Sequence, residues 1–228
     1  MNNRFERLEL LIGKEKLNEL KNKRVVILGL GGVGGYAVEA LARCGISSFL
    51  LIDSDTIDET NINRQIIATN KTIGNSKAEA WKERVHDINS DAKVEILEEF
   101  IDENNFKKIF KGKVDFFIDC CDTVKTKELV IKYALLNNIN IISSMGAGAR
   151  FNPEDLEIIE IKKTSYDPIA KKIRKFLKNE KINKKLMVMC SHEKPVKVVS
   201  SIPSNSFVPS SAGLLIASYV FKKLINYK

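Results

Sequence analysis

The residues best suited to chemistry stand in two strings of the N-terminal half. Gly29-Leu30-Gly31-Gly32-Val33-Gly34 follows the apolar run Arg24–Leu28 and opens a helical pattern. Glycines so spaced permit a tight turn and bring backbone N–H groups to a helix N-terminus, where phosphate is stabilised. Asp53 lies 19 residues beyond Gly34, at the end of a second apolar run, where a carboxylate meets ribose hydroxyls. These two features suit NAD as well as ATP. The string from Asp53 to Gln65 (DSDTIDETNINRQ), followed by Gly74-Asn75-Ser76-Lys77, separates them. It puts Asn61, Asn63, Arg64 and Lys77 between the second strand and the next helix. A dinucleotide needs no such collection there. A triphosphate does, because its charge must be neutralised and its α-phosphorus made electrophilic. Asp122 follows a fourth strand, at the sheet edge where open α/β folds bind ligands, and is a natural Mg²⁺-side carboxylate. Asp55 either joins the metal site or caps the following turn.

The elements that must hold these residues alternate. Strands are expected at Arg24–Leu28, Ser48–Ile52, Val94–Leu97, Asp115–Ile118 and Ile139–Ser143, from their short apolar, β-branched runs. Helices are expected at Val33–Cys44, Lys77–Asn89 and Lys125–Asn137, with a short one at Phe106–Phe110 and two more within Arg4–Leu20. This order predicts an α/β chain: a Rossmann-like, doubly wound, mainly parallel sheet with helices on both faces. After Phe151 the alternation fades into an α+β extension. It comprises strands at Leu156–Lys162, Lys185–Met189 and Val196–Ser200, a basic helix at Asp167–Leu177 and a terminal helix at Ala212–Asn226. Residues 1–150 are expected to form an ATP-binding region, and residues 151–228 an extension continuous with the same domain.

Charge divides along the same line. The chain has 228 residues and a net charge of +8. Residues 1–150 hold equal numbers of acidic and basic side chains, and residues 151–228 carry the whole excess. The segment Lys162–Lys185 has 10 basic residues against Asp167 and Glu180. Lys171, Lys172, Arg174, Lys175 and Lys178 share its helix with Ile169, Ile173, Phe176 and Leu177. The apolar set can face the core while the cations meet a polyanion such as RNA. Heavy use of Lys everywhere is the bland alternative, but it would also unbalance the first 150 residues. A hydrophobic content of 44% with 29% charged residues excludes disordered and collagen-like classes. No apolar run reaches the ~18 residues of a membrane span, so no integral membrane insertion is expected. The four cysteines form no CxxC pair. A reduced, cytoplasmic protein without structural zinc is expected.

GLGGVGG, LIDSDTIDETNINRQ, GNSKAE and DCCD, in that order, resemble the adenylating fold of ubiquitin-activating enzymes and bacterial sulfur-carrier adenylyltransferases, the ThiF/MoeB/HesA group. The resemblance implies attack of a carboxylate on the ATP α-phosphate, release of pyrophosphate and an acyl-adenylate. It implies that Gly32 contacts ATP, together with Gly29, Gly31 and Gly34 of the same loop, and that Asp53 holds the ribose. Asn61, Asn63 and Arg64 become phosphate-side groups, Lys77 stabilises the α/β-phosphate charge, and Asp122 serves Mg²⁺. Arg4-Phe5-Glu6-Arg7 resembles the family's Arg-aromatic-x-Arg segment. By that likeness Arg7 reaches the ATP of the other subunit of a homodimer; otherwise it is a solvated helix residue.

Zinc-containing relatives carry two CxxC pairs in their C-terminal halves, whereas only Cys190 follows residue 121 here. KTSYDPIAKKIRKFLK, MVMCSHEKP and SFVPSSAGLLIASYVFKKL instead resemble the tRNA threonylcarbamoyladenosine dehydratase (TcdA-like) branch. That likeness implies ATP-dependent cyclisation of threonylcarbamoyladenosine beside the anticodon, with sulfur-relay or other accessory proteins as possible partners. An adenylyltransferase for a ubiquitin-like sulfur carrier ending in Gly-Gly, an NAD-dependent oxidoreductase and a non-enzymatic RNA-binding module are the competing readings. Among single residues, Cys190 is either a covalent nucleophile, with His192 nearby in sequence, or structural. Arg150 is a candidate substrate contact, and Asp119 a candidate support for Asp122.

Overall fold

A computed structural model of the chain describes residues 4–197 and 201–227. Its seven-stranded sheet has the order β3-β2-β1-β4-β5-β7-β6. The strands are β1 (Arg24–Leu28), β2 (Ser48–Ile52), β3 (Lys93–Leu97), β4 (Phe116–Asp119), β5 (Ile141–Ser144), β6 (Leu156–Glu160) and β7 (Met187–Ser191). All neighbours pair parallel except β6 and β7, which are antiparallel. The helices are α1 (Glu6–Ile12), α2 (Lys14–Lys21), α3 (Gly34–Arg43), α4 (Lys77–Ile88), α5 (Val124–Leu136), α6 (Pro168–Asn179) and α7 (Phe207–Leu224).

The two-residue period of the strands splits the core. Val25 and Ile27 of β1 join one apolar cluster with α3, α4 and α7. Val26 and Leu28 join the other, with α5 and α6. Strands apolar on both faces require helices on both faces, and the doubly wound arrangement follows. The expected C-terminal extension adds β7 and β6 to the same sheet and sends α7 back across it. Gly213 lets α7 approach closely, since a Cβ there would overlap the Val33 carbonyl oxygen and crowd Tyr36 of α3. Residues far apart in sequence thereby meet at the glycine turn.

Several expected elements differ. The strand expected at Leu156–Lys162 stops at Glu160, where Ile161–Lys163 turn into a short 3-10 helix, and the strand expected at Lys185–Met189 lies two residues later. Val196 and Lys197 form no strand: the Val196 N–H donates to the Ala149 carbonyl at 2.9 Å instead of a ladder. Residues 198–200 of that expectation lie outside the described residues. The terminal helix begins at Phe207 rather than Ala212, because Pro209 falls in its first turn, where a missing N–H costs nothing.

Candidate active site

β1 pairs with β2 on one side and β4 on the other, so the connections leave its carboxyl end in opposite directions. Such a switch point opens a crevice, and here a cavity of ≈ 430 Å³ fills it. Gly29 adopts φ +87°, a left-handed conformation that favours glycine; a Cβ there would lie 2.7 Å from the Cys120 carbonyl. Gly34 does different work from that expected of it. It does not line the cavity, and a Cβ on it would overlap the Gly29 carbonyl. It closes the turn that Gly31 and Gly32 present to the cavity.

Asp53 ties that turn to β2. Its Oδ2 accepts the Leu30 N–H at 2.7 Å and its Oδ1 the Asp55 N–H at 3.0 Å. Burial raises its pKa above the ordinary carboxylate value, against the lowering influence of Lys77 and these two N–H groups. The long loop after β2 is zipped at its ends. Lys77 N–H donates to Asp55 O at 3.0 Å, and Ile57 N–H to Asn75 O at 2.8 Å. Lys77 Nζ consequently meets Asp55 Oδ2 at 2.7 Å; the lysine side chain is 7% exposed and the aspartate 66%. This ion pair is neither of the two roles expected of Asp55. Asn61 belongs to a short turn capped by Asp58, and its Oδ1 accepts the Asp58 N–H at 3.2 Å. Arg64 is half-buried and donates to Thr60 O at 2.7 Å and Asn63 Oδ1 at 2.9 Å.

Nine expected residues therefore line one cavity: Gly29, Gly31, Gly32, Asp53, Asp55, Asn61, Arg64, Lys77 and Asp122. Asn63 is outside it, exposed, with its Nδ2 donating to Ser204 O at 3.0 Å. Arg7 is exposed on α1 and outside the same chain's cavity. Asp119 does not support Asp122 directly. It is fully buried with Lys127 Nζ at 2.9 Å and Ser143 Oγ at 2.6 Å, while its other oxygen holds the Cys121 N–H at 3.2 Å. Burial, the largest single influence, would lower the Lys127 pKa, but the charge and hydrogen bond of Asp119, with Cys121 and Cys120 adding to them, together hold the ammonium above its ordinary value.

Arg150, a candidate substrate contact, does not line the cavity. It is 3% exposed and forms a buried ion pair with Asp167 at 3.2 Å. Asp167 also accepts the N–H groups of Gly146 (2.9 Å) and Ala170 (2.8 Å), so it fixes a cavity wall and caps α6 together. Arg174 differs likewise from the expected RNA contact: its guanidinium donates to Thr164 O at 3.1 Å and to Thr164 Oγ1, which pulls it back onto the chain. Lys171, Lys172, Lys175 and Lys178 are exposed. Among the described residues they have no ion pair.

Cys190 is fully buried in β7. Burial, with Asp167 and Glu157 adding to it, pushes its thiol up to about 11. His192 bonds Glu157 at 2.6 Å instead. A thiolate nucleophile is disfavoured here. Cys190→Ala is expected to keep turnover at the wild-type order of magnitude, measured on protein whose melting curve shows it folded; abolished turnover in folded variant would restore the cysteine to the chemistry.

Residues that sequence reasoning left unassigned complete the walls: Gln65, the Met145–Gly148 loop, Ile169, Ile202 and Pro209. Gln65 is 6% exposed and its Oε1 has no hydrogen-bond partner, which marks it as a group a ligand would satisfy. Its place directly after Arg64 was the available signal. Pro209 gave none, because it reaches Gly32 only through the return of α7.

The ThiF family profile matches residues 5–228. The chain belongs to the ThiF family. It is 40% identical to the tRNA threonylcarbamoyladenosine dehydratase of Bacillus subtilis (strain 168), over 99% of this chain and 96% of that one. The crystal structure of the E. coli tRNA N6-threonylcarbamoyladenosine dehydratase in complex with ATP matches with a TM-score of 0.92 at 31% identity, covering 98% of this chain and 94% of that one. Its complex with AMP matches equally, at a TM-score of 0.92 and 31% identity over the same shares. The likeness of this ThiF-family chain thus extends over the basic helix as well as the nucleotide cavity.

Proposed function

We propose that this chain is an ATP-dependent tRNA threonylcarbamoyladenosine dehydratase, which cyclises the threonylcarbamoyl group beside the anticodon. The observation that carries this reading is one shared wall. Ile169, in the first turn of the cationic helix α6, lines the same cavity as Asp53, Arg64 and Lys77. A helix of 12 residues is about 18 Å long at 1.5 Å per residue, so a polyanion lying along α6 has its end at the nucleotide. The B. subtilis and E. coli relatives support the same substrate.

In this reading the glycine turn offers N–H groups to the phosphates and Asp53 meets the ribose. Lys77 leaves Asp55 for the triphosphate, with Arg64, Asn61 and Gln65 beside it. The threonyl carboxylate attacks the α-phosphorus and pyrophosphate leaves. The carbamoyl nitrogen then attacks the activated carbonyl, loses its proton, and AMP departs with the carboxylate oxygen. An intramolecular capture gains from proximity and needs little acid–base machinery.

Mg²⁺ fits on the nucleotide, where one or two carboxylates and phosphate oxygens suffice. Asp122 is exposed at the cavity, and Thr123 Oγ1 lies 3.4 Å from its carboxylate. When bound, the ion would neutralise charge on the phosphates.

A homodimer with Arg7 acting in trans is supported by α1. This helix buries none of its residues and leaves Leu10 and Leu11 83% and 78% exposed beside Arg7. A cytoplasmic location accords with a tRNA substrate, and accessory proteins remain part of the proposal. No helix among the described residues is long and apolar enough to cross a membrane.

ATP–pyrophosphate exchange tests the reading: it should require tRNA bearing the threonylcarbamoyl group. Exchange that needs a small protein ending in Gly-Gly instead would identify a sulfur-carrier adenylyltransferase. For the helix, neutralising Lys171, Lys172 and Lys175 should weaken tRNA binding and flatten its salt dependence by up to about 0.9 per lost phosphate contact. An unaltered slope would remove α6 from the interface.

A further inference from the structure

We propose that three exposed rings, Phe151, Tyr166 and Phe207, form a platform at the rim of the nucleotide cavity on which unpaired bases of the RNA substrate stack. The proposal rests on the tRNA reading above and names a part of the interface that the cations do not supply.

The three side chains are 66%, 63% and 67% exposed. Among the described residues none of them pairs with another ring. Yet the backbone beneath each is fixed. Phe151 follows Arg150 and Tyr166 precedes Asp167, the two members of the buried ion pair. Asn205 draws in the third: its Nδ2 donates to Arg150 O at 2.8 Å, and its Oδ1 accepts the N–H groups of Phe207 and Val208 at 2.9 and 3.0 Å. The Glu193 carboxylate accepts the N–H groups of Phe151 and Asn152, at 3.0 and 2.9 Å. Tyr166 adopts φ 52°, an uncommon conformation for a bulky residue. Asp167 on one side and the Arg174–Thr164 contact on the other hold it there. A surface that anchors the main chain so firmly and leaves the rings uncovered is preorganised for a planar partner.

The platform adjoins the chemistry. Asp167 holds the Gly146 N–H, and Gly146 lines the cavity. Ile202, 72% exposed, lines it too and packs on Gly148. Lys171 and Lys172 of α6, with Lys194 and Lys197 after β7, are exposed around these segments. Rings interleaved with cations match RNA whose bases are unstacked and splayed outward; a base-paired stem offers no free base faces. Of the tRNA, this selects the anticodon loop, which also carries the adenosine to be cyclised.

The test uses the full chain and an anticodon stem-loop RNA carrying threonylcarbamoyladenosine, with binding measured across a range of salt. Phe151→Ala, Tyr166→Ala and Phe207→Ala should each weaken binding roughly 5- to 150-fold, the range of a lost base–aromatic stack. The salt slope and ATP affinity should not move, and Tyr166→Phe should bind as the parent does. On an RNA whose loop bases flanking the modified adenosine are abasic, the same variants should lose nothing further. Unaltered affinity on the intact RNA, from a parent that binds and cyclises it, would overturn the platform and leave the proposed function standing. A parent that ignores the RNA would overturn both. Variants that change only the oligomeric state would show the rings to be a protein contact, and the proposal would be wrong.

Discussion

Lys77→Met is expected to lower turnover by about a hundred- to a thousandfold, the scale of losing one preorganised group that stabilises developing charge. Methionine keeps the buried aliphatic stem, so the packing beneath α4 survives. Its partner Asp55 is already mostly solvated, at 66% exposed, and Asp53, which also feels the ammonium, keeps the Leu30 and Asp55 N–H donors. The melting curve should stay near that of the parent while the rate collapses. Arg64→Ala and Asp122→Ala should also cost orders of magnitude, since both residues line the same cavity. A non-enzymatic RNA-binding protein on this fold would tolerate all three, so unchanged RNA binding with no product from the parent or any variant would favour that reading.

Lys127→Met is expected to act on the fold itself. Asp119 and Lys127 are 0% and 1% exposed. Removing the cation leaves a carboxylate in the core with only Ser143 and Cys121 to hold it. Breaking one half of such a pair typically costs 3–5 kcal/mol, or about 6–20 °C in Tm for a chain of this size. Removing both charges, as in Lys127→Met with Asp119→Asn, should restore part of that loss. Thermal unfolding of the single and double variants decides it. A single variant melting within a degree of the parent would show that the pair contributes little. Because Asp119 holds the Cys121 N–H, the single variant should also disturb the loop carrying Asp122.

These two lysines show how far the sequence could be read. Lys77 was legible because its neighbours are local: a strand end, two amides and an arginine within a short string, closing on a helix start. Lys127 was not. It sits in the stretch Val124–Leu136 beside Lys125, which is exposed; only the meeting of α5 with the end of β4 distinguishes the two. The partners of Arg150 and Arg174 were not legible for the same reason. Each resembled a free cation in sequence, and each is spent on a partner 10 or 17 residues away. The strands were legible because β1, β2, β4 and β5 are apolar on both faces. What escaped was the return of the C-terminal segment, with Ile202, Ser204 and Pro209 reaching the cavity. Gly213 permits that approach through the absence of a side chain, and an absence carries no pattern.

The most direct measurement of the central claim is mass spectrometry of nucleosides from threonylcarbamoylated tRNA incubated with the purified protein, ATP and Mg²⁺. The account predicts that the threonylcarbamoyladenosine signal gives way to a product lighter by one water, with AMP and pyrophosphate formed in step and nothing formed by Lys77→Met. Unchanged threonylcarbamoyladenosine, while the same protein adenylates a Gly-Gly protein terminus, would contradict it.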